Sequence, residues 1–180
     1  MQLVSLLLSS IILFSCNKDN HVRTYKLPKI NADIFSSSET SESTSLSFKW
    51  IVPDSWEMGK KSSMRLASYN APYNGEYADI SITNFSGDGG GLLANVNRWR
   101  RQLNLEPQNL DEINDLIIYK SSGLGDYKLL KIVNNENIDF AFLCAIMQIE
   151  QSTIFVKMKA SLKGINILQE EFITFCSSFN

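Results

Sequence analysis

Side chains that commonly perform catalysis are sparse in this chain of 180 residues. Its single histidine, His21, lies in a polar segment ahead of the apolar part of the chain, which excludes a histidine-based triad or histidine-rich metal site in a folded domain. The carboxylates do not have the spacing of a calcium-binding loop. We therefore predict no catalytic, cofactor-binding or metal-binding residue and interpret the acids as solvated surface groups. The acids considered are Asp79, Asp88, Asp111, Glu112, Asp115 and Asp126.

A glycine-rich segment, residues 86–91, offers a second kind of chemistry. It precedes a stretch with helical periodicity, and backbone amides at a helix start can bind an anion. The segment lacks the lysine and hydroxyl of a P-loop, and Asp88 is placed to cap the helix. Two interpretations stay open, a structural strand-to-helix connection and a ligand loop. The ligand interpretation predicts a binding surface of Gly89, Gly90, Gly91, Asn95, Arg98 and Gln102.

Cys16 has the clearest chemical prediction. It follows Ser15 and an uncharged apolar run from Leu3 to Phe14. Twelve helical residues rise roughly 18 Å, too little for a hydrocarbon core about 30 Å thick, so a cleaved signal fits better than a membrane span. The pattern resembles the signal peptide and lipobox of bacterial lipoproteins, which implies that Cys16 is lipidated and anchors the protein in the bacterial envelope. An ordinary secretory signal is the alternative.

Composition divides the chain into three parts. Residues 1–15 are predicted to be the signal peptide, and residues 16–45 are a serine-rich tether with too few large apolar residues to fold. Residues 46–180 are long enough for one domain with a sizeable core. The chain is 44% hydrophobic and 20% charged, with a formal net charge of -2. This balance argues against a nucleic-acid binder, although Arg98, Arg100 and Arg101 form a local basic cluster that we interpret as a solvated helix face.

Periodicity predicts an antiparallel sheet with helices against it, an α+β fold. Apolar residues at intervals of four, three and four predict a helix at 92–103, and the pattern of 165–179 predicts an amphipathic terminal helix. The stretch 138–149 is apolar on both alternating sets and should lie centrally in the sheet. The remaining predicted strands are 46–52, 64–69, 77–85, 116–120, 127–133 and 153–162.

Aromatic and thiol side chains favour packing over chemistry. Trp50, Trp56 and Trp99 could bind a sugar or form an aromatic cage, but their positions in the strand and helix patterns favour the core. Cys144 and Cys176 follow apolar patterns and resemble small buried hydrophobes. Export permits a disulfide between them, whereas their placement on a central strand and a terminal helix favours free thiols.

Several of these segments resemble a known family. The strand, proline and tryptophan in residues 50–56 resemble the opening of PsbP-like proteins, and residues 154–160 with the helix ending at 172–179 are also similar. Residues 64–67, 78–80 and 89–99 look like a family of uncharacterised exported bacterial proteins and lipoproteins. The resemblance covers residues 50–179 and implies a PsbP-like α+β sandwich. It brings no activity with it, because a fold alone does not transfer a function.

The sequence thus predicts a membrane-anchored, non-enzymatic binding or assembly module of the bacterial envelope, with its domain on the periplasmic side. Its partner would be an envelope protein or a small ligand. The alternative is a hydrolase or ion-dependent enzyme that uses surface carboxylates. Two convergent acids in a pocket would favour the enzyme, whereas an exposed apolar or aromatic patch without such acids would favour the binding module.

Overall fold

The computed structural model describes residues 48–180. The predictions for the signal peptide, the tether, Cys16 and His21 lie outside the described residues. The described elements are β1 (Glu57–Met58), β2 (Ala67–Tyr73), β3 (Glu76–Ser86), α1 (Leu92–Gln102), α2 (Leu110–Asp115), β4 (Ile118–Ser122), β5 (Gly125–Asn134), β6 (Asn137–Ile149), β7 (Ser152–Ala160) and α3 (Leu162–Ser177).

The strands form one antiparallel sheet in the order β1-β2-β3-β7-β6-β5-β4. As predicted, β6 is an interior strand, next to the middle strand β7. Its residues from Ala141 to Met147 are buried on both faces, whereas Ile138 and Phe140 are exposed, against the prediction for the whole stretch. The hairpin between β2 and β3 closes on Asn74 and Gly75, both with positive φ. The antiparallel α+β architecture predicted from the sequence is therefore confirmed.

Helices pack on both faces of the sheet. The terminal helix α3 buries Ile165, Leu168 and Phe172 against the first face. On the second face, α1 buries Val96 and Trp99 against the β5, β6 and β7 side chains. Both apolar stripes were predicted from their spacing, so the sequence correctly indicated which side of each helix faces the sheet. Trp56 and Trp99 are buried in these two cores, as the packing interpretation expected.

The predicted strand at 46–52 is wrong for its described part, residues 48–52. The backbone of Lys49 pairs with Asn180, the last residue, through bonds of 2.8 and 3.0 Å. Trp50 stacks on Phe179 with ring centroids 5.2 Å apart. This segment therefore packs beside the end of α3, and its alternation reflects burial against that helix end.

Two predicted strands have different bounds in the structure, and one helix was not predicted. The strand predicted at 64–69 begins at Ala67 and continues through Pro72, which is tolerated because β1 pairs only with Tyr69 and Asn70 of β2. Helix α2 was not predicted, although Asn109 and Glu112 form a capping box at its start. Finally, β7 ends at Ala160 because Ser161 caps α3 by accepting a bond from the Gly164 amide.

Candidate functional site

The second face of the sheet is apolar under α1 and polar beyond it. Strand register places Asp79 of β3, Lys159 of β7 and Phe142 of β6 in one row across the sheet. The next row contains Ser81, Lys157 and Cys144. Because α1 ends at Gln102, the lysines lie at the border between the helix-covered and open parts of this face.

These side chains line a cleft of about 350 Å³, which we call the cationic cleft. Its volume is within the range of about 300–1,000 Å³ that is typical of small-molecule sites. Two aromatic rings lie beneath its lysines. Its lining residues are Arg65, Asp79, Gln102, Leu103, Phe140, Phe142, Lys157 and Lys159.

Lys157 is the most enclosed cation of the cationic cleft. Its Nζ donates to Gln102 Oε1 over 3.2 Å and lies 4.5 Å from the centre of the Phe142 ring. Burial lowers the pKa of Lys157; Arg65 and Arg98 also lower it, whereas Cys144 and Asp79 act in the opposite direction. Within residues 48–180, no carboxylate is bonded to this ammonium group, so no direct ion pair offsets its desolvation cost.

The other charges of the cationic cleft leave a positive balance. Arg65 donates to both carboxylate oxygens of Asp79, over 2.8 and 3.0 Å. Lys159 is exposed, and its Nζ lies 4.3 Å above the Phe140 ring. Three cations and one carboxylate give the cleft lining a formal charge of +2, in a chain whose formal net charge is -2.

The glycine loop, residues 86–91, is held by its own hydrogen bonds. The amides of Gly87, Gly89, Gly90 and Gly91 donate to Gln151 O, Ser86 O, Asp88 Oδ1 and Asp88 O, respectively. These four donors are therefore already paired, which favours the structural interpretation of the loop. The prediction that Asp88 caps α1 is wrong, since Gly91 is the N-cap and the Asp88 side chain instead bonds within the loop.

Asn95 is the residue that ties the glycine loop to α1. It is only 3% exposed, whereas the sequence placed it on an exposed polar row. Its Nδ2 donates to Gly89 O over 2.9 Å and to Gly91 O over 2.7 Å. Its Oδ1 accepts a 2.7 Å bond from Arg98, which is itself exposed.

The predicted binding surface is thus divided between two places. Gly89, Gly90, Gly91 and Asn95 build the glycine loop, and Gln102 borders the cationic cleft. Arg98 connects the two, because it bonds Asn95 and its charge acts on Lys157. A role of these residues in binding stays a prediction.

Three cations of the cleft lining were not predicted as site residues: Arg65, Lys157 and Lys159. Asp79 was considered only as a carboxylate. The available signal was two lysines at alternate positions of an otherwise apolar strand, residues 152–160. Alternation places both on one face. Their position next to Asp79 and Phe142 depends on strand register, which one strand's sequence does not specify.

The two thiols of the described residues lie in the cores. Cys144 and Cys176 are free and buried, and they pack in different cores on opposite faces of the sheet. This confirms the prediction of free thiols. Burial raises the pKa of Cys144 to about 12 and that of Cys176 well above its usual value. Within residues 48–180, no three His, Cys, Asp or Glu side chains gather as a metal site would require.

None of the helices between residues 48 and 180 has the length and apolar character needed to cross a membrane. No protein-family model and no curated protein matches the chain.

Three solved structures are similar to this chain over 74% of its length. The solution structure of cyanobacterial PsbP from Synechocystis is 13% identical, with 85% of that chain covered and a TM-score of 0.48. A crystal structure from Bacteroides thetaiotaomicron is 14% identical, with 44% covered and a TM-score of 0.46. LpqN, involved in cell envelope biogenesis of Mycobacterium tuberculosis, is 12% identical, with 82% covered and a TM-score of 0.39. All three likenesses have TM-scores below 0.5 and identities of 12–14%, and they carry no activity to this chain.

Proposed function

We propose that this chain is a lipid-anchored, non-enzymatic binding module of the bacterial envelope, and that the cationic cleft binds an anionic partner. The observation that carries the proposal is the convergence of Arg65, Lys157 and Lys159 on the open part of the second face. A concave surface with an excess of one charge attracts ligands of the opposite charge.

The charges of the cationic cleft support binding more than hydrolysis. A two-acid mechanism needs a second carboxyl group near the first. The one carboxylate in the cleft lining, Asp79, has both oxygens bonded to Arg65. Lys157 is positioned by Gln102 and the Phe142 ring, and Lys159 by the Phe140 ring. These contacts hold the two positive charges in place, but none of them comes from a carboxylate that could act as a base.

The proposed lipid anchor and the proposed periplasmic location are based on the sequence alone. Lipidation of Cys16 would hold the domain at a membrane surface through residues 16–45, on the periplasmic side. The lipid would provide attachment, since each buried CH₂ contributes about 0.8 kcal/mol and lipoproteins carry more than one acyl chain. The cationic cleft would then meet partners within the envelope.

Crosslinking in intact cells tests the proposal. The full-length protein is compared with the double variant Lys157→Glu, Lys159→Glu, in which the formal charge of the cleft lining changes from +2 to -2. The matched control is Lys131→Glu with Lys163→Glu, which reverses two exposed lysines away from the cationic cleft. We expect the cleft variant to lose envelope crosslinks that the control retains. Equal crosslinking by all three folded proteins would contradict the proposed site.

A further inference from the structure

The charges and geometry of the cationic cleft also indicate the chemical class of its ligand. We infer that the cationic cleft binds a phosphate monoester group between Lys157 and Lys159, with the group that carries the phosphate lying on the rim formed by Phe140 and Tyr77. This inference rests on the proposed function, because it names the ligand of the same site.

Charge balance is the first step. The cleft lining has a formal charge of +2 once the Asp79 carboxylate is counted against Arg65. A phosphate monoester carries a charge of about -1.5 to -2 at pH 7. It therefore neutralises the cleft, whereas a carboxylate monoanion leaves about half of the excess charge uncompensated.

The position of the lysines is the second step. Lys157 and Lys159 are alternate residues of β7, so their Cα atoms are about 7 Å apart on the same face. Each ammonium group lies over a ring of the adjacent strand β6, Lys157 over Phe142 and Lys159 over Phe140. These contacts restrict both side chains, so less side-chain entropy is lost when an anion binds between them.

The third step is the desolvation of Lys157. Its ammonium group is bonded to the neutral Gln102 rather than to a carboxylate, and burial lowers its pKa. A phosphate oxygen would supply the charge-assisted hydrogen bond that this group lacks. Binding would thereby offset a cost that is present in the unliganded protein.

The rim indicates that the phosphate belongs to a larger molecule. Phe140 is 50% exposed and Tyr77 is 58% exposed. Tyr77 precedes Asp79 by two residues on β3, and Phe140 precedes Phe142 by two on β6, so both side chains share the face of the cationic cleft. Phe140 provides aromatic surface directly beneath Lys159, and Tyr77 adds an exposed ring on the same face of the sheet.

Calorimetric titration of the full-length protein in detergent tests the inference. The probes are inorganic phosphate, phenyl phosphate, sodium benzoate, phenyl sulfate and mixed micelles of the same detergent with phosphatidylcholine or with phosphatidic acid. We expect phenyl phosphate to bind more tightly than inorganic phosphate or benzoate. Its affinity should fall below pH 6, where its second ionisation is lost, while that of phenyl sulfate should stay constant. Preference for phosphatidic acid micelles over phenyl phosphate would identify a lipid headgroup as the source.

Two variants locate the binding. Lys157→Met and Lys159→Met should each weaken phenyl phosphate binding about tenfold or more, the effect of one lost charge-assisted hydrogen bond. The control Lys131→Met should bind as the wild type does. Lys159 is exposed, so its variant stays informative if Lys157→Met does not fold.

The remaining outcomes separate the inference from the proposed function. If benzoate binds as tightly as phenyl phosphate, or if no probe binds while crosslinking still depends on the lysines, the phosphate inference is overturned and the binding module stands. If no probe binds and crosslinking does not depend on the lysines, both are overturned.

Discussion

Replacement of Asn95 by alanine tests how the glycine loop is held. The change removes the Nδ2 bonds to Gly89 O and Gly91 O. Gly91 O keeps a donor, the backbone amide of Asn95 at 3.2 Å, so the second lost bond costs about 1 kcal/mol. Gly89 O loses its side-chain donor, at a cost of about 1–3 kcal/mol. Alanine recovers roughly 0.5 kcal/mol through its higher helix propensity. We therefore expect a net loss of about 1.5–3.5 kcal/mol.

Urea unfolding followed by circular dichroism measures this loss, which should appear as a lower midpoint with an unchanged slope. Asn95→Asp is the matched variant, because it keeps the acceptor for Arg98 but replaces the two donors by a carboxylate facing two carbonyl oxygens. It should be at least as destabilising as alanine. Arg101→Ala is the control on the same helix and should change stability by less than about 0.5 kcal/mol, because Arg101 is exposed. Wild-type stability of Asn95→Asp would refute the reasoning.

Three further predictions concern other parts of the chain. Because the pKa of Lys157 is lowered in the folded state, the unfolded state binds more protons at alkaline pH, and the unfolding free energy should rise as pH increases toward 10.5. The urea midpoint of Lys157→Met should rise less with pH than that of the wild type. Equal dependence of the two midpoints on pH would contradict this prediction. Cys144 and Cys176 should resist iodoacetamide at pH 8 in the native protein and both react after unfolding without reductant, as mass spectrometry would show; failure of both to react when unfolded would indicate a disulfide. Cys16→Ser should abolish labelling by a fatty-acid probe, and undiminished labelling would exclude lipidation there.

The parts of the fold that follow from local patterns were predictable from the sequence. The stripe from Val96 to Leu103 and the stripe from Ile165 to Phe179 repeat at helical spacing, and both are buried as predicted. The doubly apolar strand β6 is an interior strand, as predicted. The helix predictions hold because a helix that buries one side has apolar residues at intervals of three and four. The β6 prediction holds because a strand buried on both faces is apolar at consecutive positions.

Parts that depend on a distant partner were not predictable. Residues 48–52 alternate like a strand, but their partner is the chain end at Asn180. The exposure of Asn95 was mispredicted because its bonds go to a loop whose conformation the helix period does not describe. The cationic cleft needs the register of β3, β7 and β6 and the point where α1 stops covering the sheet. From the sequence alone, Lys157 and Lys159 are therefore indistinguishable from ordinary polar residues of a strand.

Amide NMR of the protein during titration with phenyl phosphate tests the central claim most directly, because it separates the cationic cleft from the surface first predicted at the glycine loop. We expect the largest shifts at Lys157, Lys159 and Gln102, with Gly89 and Gly90 unaffected. These shifts should disappear in the double variant Lys157→Met, Lys159→Met and persist in Lys131→Met. Shifts centred on Gly89 and Gly90, or shifts that survive in the double variant, would contradict the assignment of binding to the cationic cleft.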